Sequence, residues 1–321
     1  MIGSPTNGSL LLKRVDLIRD TTGLPPSLTA AMDAEGGLWS AGDAYTTADE
    51  VIETARRVGA VALRLDFRDL TLLEALPGIR YLHLRSDGRP RLDAVAALTE
   101  LRALIIQTSG MRGDLDPLGF ADLQWLRLGL GGKGGAAMLP SIERGHPRLQ
   151  WLALREVRAR AVTDLCAAFP ELRVLRIAYA DYLRTLGGLA AVTPQLVKLT
   201  LELTQIRSLD GLAGLRRLET LALFGGRIRD LAPLRELDRL RYARIELPDV
   251  ESIEPLRGHP SLRMVSLTMA NEPDLSVLAS IPGLAAIRRG KGFEQPVPWP
   301  DLNDLTDHDP LRVEWSRAMR E

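Results

Sequence analysis

The sequence predicts an α/β solenoid: a horseshoe or arc with a concave parallel β-sheet of about eleven strands, short helical or 3₁₀ segments on the convex side, and capped ends. Three observations predict it. A six-residue motif, L-x-x-L-x-L, recurs along most of the 321 residues. Its central position returns at a fixed 22-residue step through the second half. A further apolar series follows each copy and can carry the chain back. One such unit cannot bury its leucines alone, whereas stacked units share a continuous core.

The copies can be followed in order. A first, weaker one ends at Leu63-Arg-Leu65, and the next runs from Ile79 through Leu82 to Leu84. Full copies start at Leu101, Leu123, Leu149, Leu172, Leu196, Leu218, Leu240 and Leu262, and a decayed one at Leu284 keeps Ile287. From Leu199 the central position recurs at Leu221, Ala243, Val265 and Ile287, each 22 residues on, while earlier steps run from 19 to 26. Chance clustering does not hold a period over four consecutive steps. Alternation in L-x-L puts one side of a short strand into a core. The return series is clearest in Ile228-Arg-Asp-Leu231-Ala-Pro-Leu234.

The flanks read as caps. Residues 1–58 form the expected N-terminal cap, in which Thr47-Ala-Asp-Glu50 fits a capping box that opens a helix near 48–58. Repeats fill 59–290. Residues 291–321 form the expected C-terminal cap, with Phe293, Trp299, Trp315 and a helix start at Asp309-Pro310.

These motifs resemble the leucine-rich-repeat family. The 22-residue units resemble its internalin-like subtype, through I-x-D-L-x-P-L at Ile228–Leu234 and looser copies at Ile206–Leu212 and Val250–Leu256. The resemblance implies a binding protein and little more. The family's turn asparagine is missing. Its place is taken by Asp87, Ser109, Gly131, Val157, Ala180, Thr204, Gly226, Pro248 and Ala270. The turns are therefore expected to satisfy their backbone groups by other means, such as water, with less regular curvature.

Composition narrows the function. Lys+Arg and Asp+Glu both total 41, so no bulk charge draws the chain to nucleic acid or to a membrane. Lysine occurs only at Lys13, Lys133, Lys198 and Lys291, and this Arg, Ala, Gly and Leu usage points to a GC-rich bacterial source. Cys166 is the one cysteine, so no intrachain disulfide or cysteine zinc site can form. With no signal segment, wall-sorting motif or long apolar run, the expectation is a cytoplasmic protein without a membrane partner.

No enzyme is expected, and no metal or other cofactor. His83, His146, His259 and His308 lack catalytic or metal-binding spacing. Cys166 lies in an apolar return segment and reads as a buried structural thiol. The glycine-rich stretch Gly129–Gly135 holds Lys133 but lacks the Ser or Thr of a phosphate loop, so it reads as a loop insertion.

The candidate site lies on the sheet. In L1-x2-x3-L4-x5-L6-x7, side chains x3, x5 and x7 share the face away from the leucines. Their columns carry eight Arg or Lys against three acids, and five aromatics in a chain only 5% aromatic. The candidate partner-binding residues are Tyr81, His83, Arg85, Trp125, Arg127, Trp151, Arg155, Arg176, Lys198, Glu202, Phe224, Tyr242 and Arg244. Trp125 and Trp151 hold the same column in consecutive repeats, with an expected separation of about 5 Å. Tyr, Trp and Arg dominate binding hot spots, so the expected partner is another protein, with the chain acting as an adaptor or a toxin-neutralising partner. The bland reading is a structural ladder of stacked rings and cations. Nucleic acid on the same basic, aromatic face is the alternative, and an enzyme site assembled across repeats is another. Oligomeric state has no sequence signal.

Overall fold

The computed structural model describes residues 13–14, 26–42, 47–66, 69–86, 92–108, 122–129, 137–138, 148–284 and 286–289. The expected C-terminal cap lies outside these residues, as do His146, His308 and the glycine-rich stretch beyond Gly129. The chain forms two compact units, Met1–Lys133 with Pro140–Ile142, and Gly134–Leu139 with Glu143–Glu321.

The first unit starts with a two-residue strand β1 (Lys13–Arg14), helix α1 (Pro26–Ala34), strand β2 (Trp39–Gly42) and helix α2 (Ala48–Val58). The expected capping box is present. Thr47 accepts from the Glu50 backbone, and the Glu50 carboxylate accepts from the Thr47 backbone at 2.8 Å. Gly59 ends α2 in the left-handed conformation (φ 63°) that a C-cap glycine adopts freely. Four repeat strands follow: β3 (Ala62–Asp66), β4 (Tyr81–Ser86), β5 (Ala103–Thr108) and β6 (Trp125–Gly129). They pair in parallel and in chain order, and β2 joins them in parallel ahead of β3. The sheet thus begins before the first motif copy. The 3₁₀ turns Thr71–Ala75 and Asp93–Ala97 return the chain.

The second unit carries a two-stranded ribbon of β7 (Ala137–Met138) and β9 (Val157–Arg158) and seven repeat strands. These are β8 (Trp151–Arg155), β10 (Val174–Ala178), β11 (Lys198–Glu202), β12 (Thr220–Phe224), β13 (Tyr242–Glu246), β14 (Met264–Thr268) and β15 (Ala286–Arg289). Every neighbouring pair is parallel, with x3 opposite x3 and L4 opposite L4. All eleven repeat strands start at the x3 position that the motif predicts. The returns are short: α3 (Thr163–Cys166), α4 (Leu189–Val192), α5 (Leu275–Ala279) and 3₁₀ turns at Asp210–Leu212, Ala232–Glu236 and Glu254–Leu256.

The core is the leucine column system. Leu152, Leu175, Leu199, Leu221, Val265 and their L6 partners are buried, as are return residues such as Leu209, Leu231, Leu234 and Leu256. Burial of one Leu side chain is worth about 1.5–3 kcal/mol, and the column repeats it in each unit. The return turns are capped by a side chain two residues ahead. Asp69, Thr185, Ser208, Asp230, Ser252 and Asp274 each accept from the backbone N–H at i+2, at 2.8–3.1 Å.

Four consecutive turns of the second unit, beside the positions where the family carries asparagine, are tied sideways by backbone bonds. Glu156, Tyr179, Leu203 and Gly225, each one residue past its strand, take left-handed φ of 58°, 55°, 49° and 63°. Each of their N–H groups donates to the last strand carbonyl of the next repeat, on Ala178, Glu202, Phe224 and Glu246, at 2.7–3.0 Å. A turn that points its N–H sideways into its neighbour needs no side-chain amide.

Candidate functional site

Exposure of the candidate residues rises from x3 to x7. The x3 side chains are buried: Tyr81 is 2% exposed, Trp125 7%, Trp151 0%, Lys198 9% and Tyr242 4%. The x3 members of the candidate set thus share the expected face but lie beneath its surface. The x5 arginines Arg127, Arg176 and Arg244 are half-buried. At x7 the face opens: Arg85 and Arg155 are exposed, and Glu202 and Phe224 are half-buried. What a partner can reach is the C-terminal border of the sheet, with the x3 row as the platform beneath it.

In the first unit the segment after α1 reaches the x3 row. Glu35, just past α1, accepts from the Tyr81 hydroxyl at 2.7 Å, from Arg80 at 2.7 Å and from Arg102 at 3.0 Å. Burial opposes ionisation of Glu35, but these three donors outweigh it and hold the carboxyl below its ordinary range. Tyr81 is pushed up, first by burial and then by its bond to the charged Glu35. This network fixes the segment after α1 on Arg80 and Tyr81 at the start of β4 and on Arg102 just ahead of β5.

His83 follows two residues later at x5. Burial drives it down to about 4, its bond to Gln107 pulls the other way, and the charges of Arg64, Arg85 and Arg127 lower it further. The ring is neutral at pH 7. Its Nε2 lies 2.9 Å from the Gln107 side-chain oxygen, which places the proton on Nε2. Nδ1 is then an acceptor, buried and without a partner.

The second unit's border is different in kind. Arg155 lies 4.2 Å from the Tyr179 ring centre, Arg158 5.0 Å from Tyr182, and Arg244 4.6 Å from Phe224. Three x5 or x7 arginines also have a carboxylate. Arg155 pairs with Glu156 at 3.1 Å, Arg176 with Glu202 at 3.2 Å and Arg244 with Glu246 at 2.7 Å. Tyr182 and Leu203 are each 45% exposed, which is rare for large apolar side chains among the described residues. Leu203 holds this exposure in a left-handed backbone that a leucine adopts at a cost. Tyr179, Tyr182, Arg158 and Leu203 lie outside the motif columns. They sit in turns past the strand ends, where strand alternation carries no signal of exposure.

Two nucleophilic or titratable side chains are buried in the second unit. Cys166 is buried, and burial pushes its thiol up to about 12. His259 is buried between backbone partners: its Nε2 donates to the Leu234 carbonyl at 3.1 Å, and its Nδ1 accepts from the Ser261 N–H at 3.4 Å. Among the described residues no three His, Cys, Asp or Glu side chains cluster as metal ligands, and no helix is long and apolar enough to cross a membrane.

No protein-family model matches the chain, and no curated protein matches it. Solved structures do. The chain is similar to an internalin from Listeria monocytogenes, at 18% identity over 78% of each chain with a TM-score of 0.55. It is similar to a leucine-rich-repeat protein from Leptospira interrogans, at 14% identity over 75% of this chain and 68% of that one, TM-score 0.52. A third likeness is to TLR13 in its complex with ssRNA13, at 14% identity over 78% of this chain and 46% of that one, TM-score 0.50. At such identities the likeness is one of fold.

Proposed function

Starting from a leucine-rich-repeat fold, we propose that this chain is a non-enzymatic protein-binding module that uses the C-terminal border of its sheet face. The observation that carries this reading is Leu203, an exposed leucine in a left-handed turn, between the Tyr179 and Gly225 turns of the neighbouring repeats. A glycine would hold that turn without strain, and Gly225 does so one repeat on. Strain kept where an apolar side chain meets solvent is the pattern of a contact residue. The arginine-backed rings of Tyr179, Tyr182 and Phe224 add the composition of a hot spot.

The contact residues on this reading are Arg155, Arg176, Glu202, Phe224 and Arg244 of the second unit, with Tyr182 and Leu203 added, and, on the first unit by itself, Arg85 and Arg127. Tyr81, His83, Trp125, Trp151, Lys198 and Tyr242 support them from below. Nucleic acid on the same face is the alternative reading; buried Tyr81, Trp125, Trp151 and Tyr242 offer it no ring, which leaves Phe224 of the candidate aromatics and Tyr182 beside them. We assign the 22-residue array to the internalin-like subtype and the protein to a bacterial cytoplasmic adaptor or toxin-neutralising role, with 1–58 and 291–321 as caps.

Leu203→Gly tests the reading. The variant is expected to be more stable by about 0.5–1 kcal/mol in denaturant titration, because left-handed strain is released, yet to bind the partner recovered from the native host at least about tenfold more weakly, the cost of one hot-spot side chain. Unchanged affinity in both Leu203→Gly and Tyr182→Ala would overturn it.

A further inference from the structure

We propose that the second unit binds a small phosphate-bearing polyhydroxyl molecule, of the sugar phosphate class, between the turns that lead into β12 and β13. This goes beyond the protein-binding reading and uses the opposite border of the sheet from Leu203. A cleft of about 550 Å³ lies there, lined by Gly214, Arg216, Arg217, Glu236, Asp238 and Arg239. Its volume falls within the range of small-molecule sites.

The two turns are built alike. The Leu218 N–H donates to the Leu215 carbonyl at 3.1 Å, and the Leu240 N–H to the Leu237 carbonyl at 2.8 Å. Arg216-Arg217 and Asp238-Arg239 are thus the central pairs of two hydrogen-bonded turns. The register of β12 with β13 sets these turns side by side, with Arg217 and Arg239 at equivalent places about 4.8 Å apart by strand spacing. Gly214 holds the place that Glu236 holds one repeat on, and its lack of a side chain leaves the cleft open. The equivalent turns of other repeats, closed by the same bond, start their central pair with Pro77, Pro170, Pro194 and Pro282. Proline presets the backbone at that position. Two adjacent repeats give up this benefit and place charged side chains there instead.

Those charges do not satisfy one another. Arg216, Arg217, Arg239, Glu236 and Asp238 are all exposed, lie within the continuous stretch 148–284, and form no ion pair among the described residues. Like charges held side by side at strand spacing repel. An anion between them removes the repulsion, and phosphate oxygens fit the guanidinium fork in bidentate form. Glu236 and Asp238 have the opposite need. As carboxylates they accept hydrogen bonds, and hydroxyls on the same molecule would donate them. Their charge also opposes a second phosphate, which disfavours a polyanion. Among the described residues no aromatic side chain lines the cleft, so a nucleotide base finds no ring to stack on.

Isothermal titration of the full chain tests the proposal with glucose 6-phosphate, glucose, inorganic phosphate and AMP. Glucose 6-phosphate is expected to bind saturably, inorganic phosphate more weakly and glucose not measurably, with added salt weakening both phosphates. Arg217→Gln and Arg239→Gln should each weaken glucose 6-phosphate by about fivefold, the upper scale of an exposed charged contact. Arg229→Gln, an exposed arginine of the same repeat outside the cleft, should leave it unchanged. Glu236→Ala and Asp238→Ala should narrow the preference for glucose 6-phosphate over inorganic phosphate, because they remove the hydroxyl acceptors. Absence of saturable binding overturns the proposal, as does an equal loss in Arg229→Gln or a preference untouched by both acid substitutions. Tighter binding of AMP, of an acidic peptide or of a single-stranded oligonucleotide overturns the assigned ligand class. None of these outcomes bears on Leu203→Gly, so the protein-binding reading stands or falls separately.

Discussion

Lowering the pH should destabilise this protein through one side chain. His83 is buried and held at about 4 in the fold, against an ordinary value of 6.5. Between those values the unfolded chain binds a proton that the folded chain refuses, so stability falls as pH falls through that window and is fully present above it. The gap of about 2.5 pH units, at about 1.36 kcal/mol per unit, corresponds to about 3 kcal/mol lost by pH 4. About 2 kcal/mol of this is lost between pH 7 and pH 5. His83→Gln keeps a polar side chain but cannot titrate. Urea unfolding at both pH values should show the stability difference between wild type and variant shift by about 2 kcal/mol in favour of the variant at the lower pH. His259, also lowered by burial, contributes equally to both proteins and cancels. The comparison is of slopes, so any fixed cost of the substitution drops out. Parallel stability curves for the two proteins would refute the argument.

Other substitutions test the packing. Trp151 is fully buried with its indole N–H unpartnered, so Trp151→Phe removes a desolvated donor with part of the ring and should cost less than about 2 kcal/mol, while Trp151→Ala should cost about 3–5 kcal/mol by thermal or chemical unfolding. A Cβ at Gly211 would collide with the Leu186 backbone of the preceding repeat, so Gly211→Ala should cost about 3 kcal/mol or more in the same assay. Gly258 (φ 64°) has nothing within 4 Å of that position, and Gly258→Ala should cost only about 1 kcal/mol, from the backbone alone.

The leucine period placed all eleven repeat strands at the right residue, from Ala62 to Ala286, because a stacked solenoid translates sequence spacing directly into strand register. The capping box at Thr47 was equally legible, since it depends on residues three apart. Strand β2 was not. Trp39–Gly42 carries no L-x-x-L-x-L and joins the sheet only because β3 offers an edge. The six side-chain caps of the return turns, from Asp69 to Asp274, join residues two apart, but the turn that brings each side chain to its N–H is set by the stacked repeats.

The candidate face divides in the same way. The sequence by itself determined which side chains share a face, because pleat alternation is a property of any strand. It also determined which of them are arginine or aromatic. Only the tertiary structure decided which of them solvent reaches. Tyr81 is covered because Glu35, forty-six residues earlier in the chain, bonds its hydroxyl. Trp151 is buried, whereas Leu203, past the end of its strand and outside every column, is exposed. Alternation is local and exposure is not: it depends on what else packs over the face and on which turns push a side chain outward. The physical reason is that period follows from a few adjacent dihedral angles, while burial and charge compensation sum over residues distant in sequence.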